Sequence, residues 1–137
     1  MKLHSGWLAI GLLIFAVMAC STSNTSSGPI SEAYMAKDNN GEPGDQTNTF
    51  APGDRTVHCL AKLSEAKEGT RMKFSWWIVD AGTQKNEKLK DIEYTTAAKE
   101  NVVHGHLTAP KDWPTGKYKC VIDVNDKTEK TIDYYVK

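Results

Sequence analysis

From Ile30 onward the chain alternates apolar and polar residues with a period of two, and no stretch of ten residues keeps a helical period. That rhythm fits an extended strand, whose successive side chains point to opposite faces. Val57, Cys59, Ala61 and Leu63 alternate with His58, Leu60 and Lys62, and Met72, Phe74, Trp76 and Ile78 with Arg71, Lys73, Ser75 and Trp77. Val103, Gly105 and Leu107 alternate with His104 and His106. Tyr118, Cys120, Ile122 and Val124 form another such set, as do Ile132, Tyr134 and Val136. A shorter, more polar strand is read at Ile92–Thr96, and an early one at Ile30–Lys37, ahead of the turn Asp38-Asn39-Asn40-Gly41. Pro52-Gly53-Asp54, Glu68-Gly69, Ala81-Gly82, Pro110–Gly116 and Asn125-Asp126 supply turn chemistry between strands. Ser64–Lys67 leans towards helix but is too short to matter. The pattern predicts an all-β fold, an antiparallel sandwich of about seven strands.

Lys and Arg total 17 and so do Asp and Glu, so the formal net charge is zero. No basic excess is available to neutralise phosphates, which argues against nucleic-acid binding. One uninterrupted apolar run exists, Trp7–Ala19, preceded by Lys2. It suits the hydrophobic region of a signal peptide and falls short of the roughly 18 residues that span a bilayer. The run ends in Val17-Met18-Ala19-Cys20-Ser21, which resembles the bacterial lipobox. The resemblance implies cleavage before Cys20, a diacylglycerol on its sulfur and a third acyl chain on its amine. An ordinary secretory signal would instead leave Cys20 as an exposed free thiol, a liability in an exported chain. Residues 1–19 are therefore read as signal peptide, and 20–29 as lipidated cysteine and tether. Ser21–Ser27 holds only Ser, Thr and Asn, and a flexible chain of that length reaches roughly 15–18 Å. Residues 30–137 make the domain. The anchor implies the bacterial cell envelope, and Ser21 after the acylated cysteine points by the family's sorting rule to the outer membrane.

Cys59 and Cys120 stand 61 positions apart, and Trp76 follows the first by 17. The second lies in Gly116-Lys117-Tyr118-Lys119-Cys120, which resembles the Gly-x-Tyr-x-Cys of strand F in immunoglobulin-like domains. The stretch Trp113-Pro114-Thr115-Gly116-Lys117-Tyr118 is similar to a turn in immunoglobulin-like domains of bacterial exported proteins. Pro114 stands where the vertebrate pattern has aspartate, which favours the bacterial type. The resemblance implies an immunoglobulin-like antiparallel β-sandwich with Cys59 on strand B, Trp76 on C and Cys120 on F. It implies a tyrosine corner at Tyr118 and one inter-sheet disulfide, Cys59–Cys120. Both cysteines point inward by their own strand patterns. A bridge closing about 60 residues is worth roughly 4 kcal/mol in the chain-entropy model. Two free buried thiols remain the alternative.

The sequence carries no Gly-x-Ser-x-Gly, dinucleotide fingerprint, P-loop, His-Glu-x-x-His or Cys-x-x-Cys. Its reading is therefore non-enzymatic, with no cofactor. Two constellations remain. His104 and His106 share the outward face of one strand, and His58 faces outward beside inward Cys59. In an immunoglobulin-like sheet strands B and E are neighbours, so these three imidazoles form a candidate zinc or copper patch. The second constellation is aromatic. With Trp76 in the core, Trp77 faces out and shares the C–F–G sheet with Lys119, Val121 and Tyr135, a candidate partner face. The functional expectation is a membrane-anchored envelope lipoprotein with a non-catalytic binding or assembly domain. It would engage an envelope protein and the membrane, through its lipid. The alternative is a metal-binding envelope protein using the histidines.

Overall fold

The computed structural model describes residues 28–137. The segment read as a signal peptide, Cys20 and residues 21–27 lie outside the described residues. Nine strands follow one another: β1 (Ile30–Asn39), β2 (Glu42–Gln46), β3 (Thr49–Phe50), β4 (Thr56–Leu63), β5 (Arg71–Ala81), β6 (Gln84–Thr95), β7 (Val102–Thr108), β8 (Gly116–Val124) and β9 (Lys127–Val136). Among the described residues there is no helix, so the all-β expectation holds. The strands form two sheets, β2-β1-β4-β7 and β3-β9-β8-β5-β6. Pairing is antiparallel except between β3 and β9.

The strand count is nine rather than seven, and the additions have local causes. Asn40 and Gly41 both adopt positive φ, 54° and 91°, as a tight hairpin turn requires. The chain therefore returns as β2 instead of looping away. β2 is illegible in the sequence because Glu42-Pro43-Gly44-Asp45-Gln46 has no apolar alternation. β3 is two residues long and survives by pairing Phe50 with Val136 at the sheet's end. β6 begins at Gln84, well before the expected Ile92; its first half is charged on both faces and buries nothing, so it shows no apolar alternation.

The inward sets meet between the sheets. Met35, Val57, Cys59, Ala61 and Val103 of one sheet pack on Met72, Phe74, Trp76, Tyr118, Cys120, Ile122 and Tyr134 of the other, all essentially buried. Gly105 lets β7 approach closely, since a Cβ there would stand 3.0 Å from the Phe74 ring. The tyrosine corner forms: Tyr118 Oη donates to the Pro114 carbonyl at 2.6 Å. Trp113 closes the same end. Its Nε1 donates to the Asp54 and Arg55 carbonyls at 3.0 and 3.2 Å, and its ring meets Tyr118 edge-on. Gly116 is obligatory here, because φ is 150° and a Cβ would lie 2.2 Å from the Asp80 carbonyl oxygen.

The expected disulfide is corrected. Cys59 and Cys120 do face each other across the core, but they stand 3.3 Å apart, beyond the roughly 2.05 Å of a sulfur–sulfur bond. Both are free thiols in complete burial. Burial, with Cys59 alongside, pushes the Cys120 thiol well up.

Candidate functional site

Antiparallel pairing of β4 with β7 sets His58 opposite His106 and Leu60 opposite His104. All three imidazoles thus reach the outer face of the four-stranded sheet. His58 stacks on His104 with ring centroids 5.6 Å apart, and His106 lies 5.5 Å away at a tilt. The sequence reading places His58 outward, and the register agrees, but the side chain is not solvated: its exposure is 0%. Asp38, near the end of β1, accepts a hydrogen bond from His58 Nε2 at 2.7 Å and from the Gly41 N–H at 3.1 Å. A carboxylate partner requires that Nε2 carry the proton. Nδ1 is buried without a partner.

The hydrogen bond from His58 holds the Asp38 carboxyl below the usual range, more than its partial burial raises it. His104 titrates lower than a free imidazole, chiefly through desolvation and then through His58 beside it. The three rings meet on one face, as the pairing of β4 with β7 requires. Among the described residues no group of three His, Cys, Asp or Glu side chains stands where it could hold a metal ion.

The second constellation occupies the outer face of the five-stranded sheet. β5 sets Trp77 opposite Lys119 of β8 and, across a bulge, Lys88 of β6. The two ammonium groups lie 5.3 and 5.4 Å from the Trp77 ring centroid. Ion pairs surround it: Lys73–Asp123 at 3.2 Å, Lys88–Asp91 at 3.2 Å and Lys117–Asp133 at 3.5 Å. Val121 lies opposite Ser75, and Tyr135 opposite Lys117 with the Lys137 ammonium over its ring. The four residues read from the sequence do share a face, and all are half-buried. Trp77 and Lys119 pair directly. The patch is a cation-covered aromatic rather than an open apolar surface.

Sequence reasoning missed Asp38, which sits just past the early strand as read, and Lys88, which belongs to the charged half of β6. It also missed that Leu89, Tyr94 and Val102, the large apolar residues left exposed among the described residues, all lie on β6 and β7.

No protein-family model matches the sequence, and no curated protein matches it. Among solved structures, the chain is similar to an immunoglobulin-like protein from Pseudomonas aeruginosa, at 12% identity and TM-score 0.54 over 77% of this chain and 92% of that one. It also resembles part of a beta-glucosidase from Listeria innocua, at 13% identity and TM-score 0.46 over 77% of this chain and 16% of that one. The first likeness shows the fold: an immunoglobulin-like β-sandwich. The second carries no argument about activity.

Proposed function

We propose that the protein is a lipid-anchored envelope protein whose immunoglobulin-like domain is a non-catalytic binding or assembly module. The observation that carries the binding half is the face around Trp77. A half-buried indole on a sheet face, flanked by two lysines, with Val121 and Tyr135 on the same surface, combines apolar area with polar contacts as partner sites do. Fold alone does not decide between binding and catalysis. The anchor half rests on Val17-Met18-Ala19-Cys20.

Capture from envelope extract with the full chain tests the first half. Trp77→Ala should weaken retention of a captured partner by about 2 kcal/mol or more while the fold persists. Unchanged capture would remove this face as the site. Mass spectrometry and fractionation test the second half. Cys20→Ser should lose the acyl mass and leave the membrane fraction; a variant that stays membrane-bound and normally processed would sink the anchor.

A further inference from the structure

A sandwich has four sheet edges, and three of them here are blunted. β2 is short and carries Glu42, Pro43 and Asp45. β3 is two residues long. β6 is long, but it carries Lys85, Glu87, Lys88, Lys90, Asp91 and Glu93 and is bulged opposite Trp76 and Trp77. Short length, proline, charge and bulges are the devices that stop strands from pairing with strangers.

β7 has none of them. Val102-Val103-His104-Gly105-His106-Leu107-Thr108 contains no Lys, Arg, Asp, Glu or Pro. It is regularly paired with β4 on one side and ends the sheet on the other. Beyond the sheet ladder, its main chain enters no hydrogen bond among the described residues. Val102 is 44% exposed, and both His104 and His106 are open on the outer face.

We infer that β7 is a self-pairing edge: a second copy of this chain adds antiparallel to it about Gly105, joining two four-stranded sheets into one. The occupant follows from the strand's own pattern. Twofold symmetry requires opposed residues to share a face, which a centre at Gly105 satisfies. Gly105 then meets Gly105, with no side chain at the closest point. Val103 meets Leu107 on the inner face. His104 meets His106 on the outer face, and Val102 meets Thr108. Every opposed pair is uncharged or imidazole, so the pairing sets no like charges opposite one another along the strand, while a charged strand would gain no opposite charge. The inference stands on this edge and not on the Trp77 face.

Sedimentation velocity of the full chain in a mild detergent reads the outcome. The wild type should associate to a dimer. His104→Lys, which sets a fixed charge against the partner's His106, should weaken the dimer roughly tenfold. Adding His106→Glu should restore it, because each introduced ammonium would then face an introduced carboxylate across the axis. Circular dichroism confirms that the variants are folded, and Val102→Lys is a second edge-blocking change at an exposed position. A wild type that stays monomeric, or pairs only with another protein's strand, overturns the inference. So does a dimer indifferent to His104→Lys and Val102→Lys, or a double variant that stays as weak as the single. The Trp77→Ala capture experiment leaves sedimentation untouched, so the two proposals fail separately.

Discussion

The two sheets treat their outer faces in opposite ways. On the five-stranded sheet the outward set is salted with ion pairs, and its one tryptophan lies half-buried beneath Lys88 and Lys119. On the four-stranded sheet the outward charges, Lys62 with Glu32 and Asp38 with His58, flank a sealed centre: His58 and Leu60 are as buried as core residues. Alternation assigns a direction to His58 and to Trp77 alike, and both directions are correct. What it cannot assign is exposure. Long lysines half-cover Trp77 while keeping their heads wet. Asp38 and two neighbouring imidazoles close over His58 completely.

The sharpest break in this comparison sets Trp76 against Trp77. Trp76→Ala should cost about 3–5 kcal/mol, as a large core truncation does, and Trp77→Ala about 1 kcal/mol or less. Thermal or denaturant melts of the two variants decide it; equal losses would mean that both rings serve as core. Next comes His58. Although it points away from the sandwich interior, His58→Ala should cost about 2–3 kcal/mol, because it opens a cavity and strips Asp38 of its donor. A loss within the range of ordinary surface substitutions would show that the outer seal contributes little.

Acid should act on the sealed face. His104 binds its proton less readily folded than unfolded, so between these two pKa values the unfolded chain holds more protons. Its contribution is therefore present above the unfolded value, about 6.5, and is lost as pH falls through that value towards the folded one. Asp38 has a lowered folded pKa, so its contribution is present above about 3.8 and lost on further acidification. Melting temperature should fall in both windows, and His104→Gln should flatten the upper one. A melting temperature that rises on acidification from neutral pH would contradict this. The smallest effect belongs to Lys119→Ala, expected to change stability by about 0.5 kcal/mol while shifting Trp77 fluorescence as its cation leaves. An unchanged emission spectrum would mean that the contact is not held in solution.

Legibility tracks burial on the inner face. Five strands can be placed to within a few residues, because their inward sets, such as Met72-Phe74-Trp76-Ile78, are uniformly apolar. The tyrosine corner is readable because Gly116, Tyr118 and Cys120 each occupy a position with its own steric or bonding demand. β2 and the first half of β6 bury nothing and so write no pattern. The thiol pair shows another limit: alternation brings Cys59 and Cys120 to the same place in the core, but facing one another is not bonding. The histidine cluster is legible as a meeting of three residues. Its chemistry turns on Asp38, whose approach depends on a hairpin that only the Asn40-Gly41 turn geometry reveals.

The strand order also says something about time. β5–β6 and β8–β9 are hairpins, joined by turns at Gly82 and at Asn125-Asp126, and their ladders close over short stretches of chain. The pairing of β4 with β7 must instead bring Cys59 to Gly105, across two intervening strands. Distant pairings carry the larger loop-closure cost and form slowly. β7 should therefore dock late, as a β4 already flanked by β1 waits for its last neighbour. Until then an uncharged, valine-rich strand drifts unpaired, which makes the interval before docking the moment at which this chain is most open to mispairing.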